Sequence, residues 1–129
     1  MLPPGDAPDV SDDDDIWRRI PRIPSHVVRD HGRLRPTSAA FADHPDDGAM
    51  SALLAREDNP VRATSGPWEG YLLAALPARV YREEEQRIVR DPTPEDASHL
   101  LVIGEKTRPR RRKWAESARW VVEPGSASS

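Results

Sequence analysis

His99 stands eight positions after Asp91, across the proline-punctuated stretch DPTPEDAS. A carboxylate beside an imidazole orients the ring and raises its pKa, the pairing that general acid–base catalysis uses. His99 and Asp91 are therefore the candidate catalytic pair, and the reading they support is a small enzyme acting on a nucleotide or nucleic acid. The plainer alternative is structural. Asp91 would cap a turn, Glu95 and Asp96 would be solvated, and His99 would be a strand-end histidine holding one hydrogen bond.

Two further groups point to anions. In RPTSAAF, Arg35, Thr37 and Ser38 bring a guanidinium and two hydroxyls to the start of a short helix, where free N–H groups also collect. In RPRRRKW, five cations fall within residues 108–113. A helix N-terminus already carries partial positive charge, so cations there are mildly unfavourable and a structural helix prefers acids. A polyanion such as nucleic acid would relieve the conflict, through Arg110, Arg111 and Lys113. So would the chain's own acidic block, Asp12–Asp15, and a solvated basic face is the third possibility. The seven aromatic residues are not interleaved with cations as a base-stacking platform would be.

Other chemistries lack their signatures. The four histidines show no H-E-x-x-H spacing and there is no cysteine, so no metal site is assigned and disulfides are excluded. No Gly-rich dinucleotide fingerprint, Walker A motif or nucleophile elbow is present, and the sequence leaves any cofactor unknown.

These residues need elements to hold them. SHVV and RLRP read as short strands around an HGR turn, and Thr37 or Ser38 as the cap of a short helix leading to Phe41. MSALLA fits a helix or a buried strand by length, and the EDNP stop after it favours the strand; YLLAALP and SHLLVIG read as strands buried on both faces, ARVYREEEQ as a helix and RIVRDP as a short strand. NPVRATSGPWEG reads as a loop. KTRPRRRKWAESARWVV reads as one amphipathic helix, capped by Thr107, with Trp114, Ala118 and Val121 on a single stripe. The expectation is an α+β domain, a small mixed sheet of four to six strands packed by that C-terminal helix.

Composition sets the limits. At 129 residues, with 36% hydrophobic and 32% charged residues and 14 prolines, the chain suits one domain with a small core. Its wealth of Arg, Ala, Pro and Asp fits a high-GC bacterial genome. The net charge of −3 conceals an asymmetry, because the first fifteen residues hold six aspartates and no cation. They are expected to be a disordered acidic tail (1–15) ahead of the domain (16–123), with 124–129 a second disordered tail. The acidic tail would reach the basic helix start and compete with a polyanionic partner. No apolar run approaches the ~18 residues of a membrane span and the N-terminus has no signal-peptide pattern, so a cytoplasmic chain is expected.

GRLRPTSAAF, MSALLA and IVRDPTPEDASHLLVIGEKT, together with the following basic helix, resemble a loose set of small uncharacterised bacterial proteins. The resemblance implies a stand-alone domain of mobile-element or defence settings and transfers no activity. The expected function is that of a non-catalytic accessory or interaction protein with a protein partner. The alternatives are the His99/Asp91 enzyme and a nucleic-acid-binding module using the basic helix 108–119.

Overall fold

A computed structural model describes residues 6–45 and 48–122. The expectations for residues 1–5 and 124–129 lie outside them. The fold is α+β: a six-stranded sheet, a separate two-stranded hairpin and few helices. The sheet comprises β1 (Asp15–Ile20), β4 (Met50–Leu54), β5 (Leu72–Pro77), β6 (Arg87–Arg90), β7 (His99–Ile103) and β8 (Arg119–Val122), in the order β6-β7-β4-β1-β5-β8. Every pairing is antiparallel, where the sequence allowed for a mixed sheet.

The hairpin is β2 (Val27–Asp30) and β3 (Arg33–Pro36). Its two-residue turn has His31 at φ 51° and Gly32 at φ 78°, the positive pair that matches strand twist. Helix α1 (Pro60–Ala63) lies in the stretch expected to be loop, and Asn59 caps it by accepting from the Arg62 N–H at 2.9 Å. Helix α2 (Ala78–Arg82) follows Pro77, and α3 (Arg108–Ser117) is the longest helix among the described residues.

Both sheet faces are apolar where the continuous runs predicted it. Leu100 and Val102 join the main core with Ile16, Ile20, Leu54, Leu72 and Leu76, under Phe41 and Trp114. Ile103, with Leu101 against it, packs on the other face beside Val89. Trp114 is fully buried and meets Tyr81 at a ring-centroid distance of 5.1 Å, so α3 covers one face as expected. On the opposite face Trp17, Leu53, Leu73 and Ala75 form a smaller cluster over α1.

Three further expectations need correction. Helix α3 stops at Ser117, because Ala118 turns to extended dihedrals and the aromatic and β-branched RWVV pairs with β5 as an edge strand. Thr37 precedes the 3-10 turn Ser38–Phe41 but does not cap it; its hydroxyl donates to the Ser25 carbonyl at 2.6 Å. Residues 6–15 are a docked strap, not a free tail. Ala7 and Val10 are buried, and the Ala7 N–H reaches the Ile88 carbonyl at 2.7 Å along the outer edge of β6. Each aspartate of the strap meets an arginine: Asp6 and Asp12 at Arg82, Asp9 at Arg90, Asp13 at Arg79, Asp14 at Arg56 and Asp15 at Arg119. The Asp14 and Asp12 carbonyls also accept from the Ala78 and Arg79 N–H groups, satisfying the start of α2. Two apolar anchors and matched charges supply the offset to ordering entropy that a count of charge alone misses.

Candidate functional site

A cationic cleft lies between the β2–β3 hairpin and α3. It forms because small Ala115 on α3 lets the hairpin approach, while longer side chains on either side hold the walls apart. One cavity of about 400 Å³ is lined by Arg35, Thr37 and Ser38 on the hairpin side and by Arg108 and Arg112 on the helix. A neighbouring one of about 550 Å³ runs past Arg33 and Arg35 toward Trp120, and Glu116 borders both. Two sequence patches thus meet across one cleft.

The cations of α3 divide by face. Arg110 is held by Glu85 at 2.5 Å and faces Glu84, and Lys113 pairs with Glu84 at 2.8 Å. That pairing holds the Glu84 carboxyl below its ordinary pKa and raises the Lys113 ammonium. Arg111 donates to the Lys106 carbonyl at 3.2 Å. Arg108 and Arg112, one turn apart, are exposed and have no partner among the described residues, and neither has Arg33 across the cleft. Arg35 is tied to Asp30 at 2.9 Å. The unpaired charge of the cleft is therefore carried by Arg33, Arg108 and Arg112, opposed by Glu116. Of the residues singled out for anions, Arg35, Thr37 and Ser38 line the cleft. Arg110 and Lys113 are engaged by acids and Arg111 by a carbonyl, and none of the three lines it. Alternating contacts along α3 carry this distinction, and the dense run RPRRRK hides it.

The acidic strap lies elsewhere. Its aspartates engage arginines of α2, β6, β8 and the 55–57 turn, so the expected contact between Asp12–Asp15 and the α3 start is replaced by these pairs.

His99 and Asp91 are close. The His99 Nδ1 lies 3.1 Å from an Asp91 carboxylate oxygen and 2.9 Å from the Asp91 carbonyl. The Asp91 N–H donates back to the His99 carbonyl at 2.9 Å, so the pair clasps the ends of the β6–β7 connection. Neither residue lines the cleft. Asp96, expected to be solvated, is instead buried. It receives a two-pronged contact from Arg19 at 2.8 Å and a third bond from Arg62 at 2.6 Å. Arg62 also grips Asp58, which accepts from Ser98. Arg19, Arg62, Asp58 and Asp96 form a charge-balanced network between the sheet and α1.

A second cavity, which motif reading missed, opens inside the sheet. β1 and β4 pair only at Ile16–Leu54 and Trp17–Leu53. Beyond that the ladder opens, and Arg18 bridges it by donating from Nη1 to the Ser51 carbonyl at 2.8 Å and from Nε to the Ala40 carbonyl at 2.9 Å. The resulting cavity, about 400 Å³, is lined by both strands and by His26, Asp43, Trp68 and Tyr71. Burial depresses the Arg18 guanidinium, with Asp43 among the groups opposing, and burial together with Arg18 depresses His26, leaving its imidazole neutral at pH 7. The signal was present in IWRRI, where period-two alternation sets Arg18 on the core face between Ile16 and Ile20.

No group of three or more metal-ligating side chains occurs among the described residues, and no helix there is long and apolar enough to cross a membrane. Comparison with protein-family models, with curated proteins and with solved structures finds no match.

Proposed function

We propose that this chain is an accessory module that works by binding, and that the cleft between the hairpin and α3 takes a nucleic-acid phosphate backbone. The observation that carries the reading is the pair Arg108 and Arg112, which border the cleft without a partner among the described residues, while Arg110 and Lys113 are held by glutamates. Residues at helical i, i+4 spacing are neighbours on one helix face, with Cβ atoms about 5–6 Å apart, so the two long arginine side chains can reach neighbouring phosphates of one strand. Thr37 and Ser38 add hydroxyls at the opposite wall. Contacts of this kind position a backbone without reading bases, so the expected binding is weak, salt-sensitive and tolerant of sequence.

The test is a titration of labelled single-stranded and duplex DNA and of RNA, read by fluorescence anisotropy at low salt. The double variant Arg108→Glu, Arg112→Glu should bind at least about tenfold more weakly than the parent. Arg110→Gln, which removes a cation already held by glutamates, should change affinity little. Equal loss in both variants would assign the binding to bulk charge. No binding by the parent would hand the cleft to a protein partner carrying acidic groups.

A further inference from the structure

The opening between β1 and β4 carries a separate conclusion, independent of the basic cleft. Three buried or cavity-lining cations lie at or beside this opening. Lys106 is almost fully buried; its ammonium meets Asp43 at 2.5 Å and the Val102 carbonyl at 2.8 Å. That pair is neutral. Arg19 is neutralised by Asp96. Among the described residues Arg18 has no carboxylate at hydrogen-bond distance, and its guanidinium is held there by two backbone carbonyls. Among the described residues Arg18 is therefore a largely buried cation with no paired carboxylate, and a desolvated charge without a counter-ion is among the most unfavourable features a core can contain.

A guanidinium has five N–H donors in a planar fork. With Nε and one Nη1 proton on carbonyls, the Nη2 edge is left to donate into the cavity that Arg18 lines. A carboxylate there accepts a charge-assisted hydrogen bond from Nη2–H, stronger than a neutral one. Trp68 and Tyr71 supply flat apolar surface beside it, and Arg19 lies over the Trp68 ring at 3.5 Å, fixing the indole plane. The space, about 400 Å³, is within the range of small-molecule sites. A phosphate dianion would overcompensate the single charge and leave no place for an apolar body.

We propose that this cavity binds a small molecule with one carboxylate on a flat, largely apolar body. The carboxylate sits on Arg18, and the body sits against Trp68 and Tyr71.

The experiment records amide shifts of the full-length 15N-labelled protein against benzoate, benzamide and inorganic phosphate. Benzoate should shift the amides of Ser51 and Tyr71 saturably. Benzamide, of the same shape without the charge, should bind at least about tenfold more weakly. Inorganic phosphate should leave those two amides in place. Ala39→Leu, which narrows the cavity without touching its charge, should abolish the benzoate shifts, and Arg18→Lys should weaken them. Arg112→Glu should leave them unchanged, which separates this site from the cleft. Equal binding of benzoate and benzamide would overturn the assignment, as would benzoate shifts confined to the cleft or no shift at millimolar benzoate. The comparison of benzoate with benzamide needs no variant, so a failure of Arg18→Lys to fold leaves the conclusion testable.

Discussion

Asp96 joins two distant parts of the chain through its carboxylate alone. Arg19 and Arg62 both bind it, 77 and 34 positions away, and it is 3% exposed. Removing it strands Arg19, so Asp96→Ala should destabilise the protein by about 3–5 kcal/mol in urea unfolding. The pH dependence follows in sign. Arg19 above all, with Arg62, holds the Asp96 carboxyl below its ordinary value despite burial. Its contribution is therefore complete above the unfolded carboxylate pKa of about 4 and is lost as pH falls through the lower folded value. The difference in stability between parent and Asp96→Asn should stay constant from about pH 5 to 8 and shrink below pH 4. A difference that grows in acid would contradict the assignment. His99 makes a smaller bond to a half-exposed partner, so His99→Ala should cost about 1 kcal/mol and leave nucleic-acid affinity unchanged. At this scale the sequence is least legible. Nothing near Asp96 in PTPEDAS announces two arginines from other elements, whereas Arg18 could be read from its place between two isoleucines.

Elements were more legible because burial on both faces leaves a local mark. LLAAL and HLLVI are continuous apolar runs of strand length, and both are interior strands. Gly104, which follows β7, has a structural reason: a Cβ there would come within 2.8 Å of the Gln86 amide, itself pinned to the Glu84 and Glu105 carbonyls. Gly104→Ala should lower stability by about 1–3 kcal/mol in thermal or urea unfolding. The strap was illegible for the opposite reason. Its two apolar residues are spaced among prolines and aspartates, and its partners are arginines scattered over four elements. Deleting residues 1–10 removes the Val10 anchor and uncovers β6, so stability should fall by about 2 kcal/mol and self-association should rise. Unfolding and sedimentation of the truncated chain read the two effects, and an unchanged midpoint would show that the strap does not stabilise the fold. The end of α3 escaped prediction because Ala118 and Val121 continue a helical stripe by spacing, while the free edge of β5 recruits the same residues as a strand.

Across the whole molecule, charge is sorted rather than spread. The aspartates of the strap are matched by arginines on one set of elements, and the glutamates of 84 and 85 neutralise one face of α3. What remains unpaired in the cleft is Arg33, Arg108 and Arg112. A net charge of −3 therefore does not oppose anion binding at that place, since the acids of the strap already have partners. The most direct measurement is the salt dependence of duplex DNA affinity. Three arginines on phosphates predict that log affinity falls against log salt with a slope of about −2.7. Neutralising Arg108 and Arg112 to alanine should bring the slope to about −1, because each lost phosphate contact removes about one. An unchanged slope in the double variant would contradict the cleft as the binding surface.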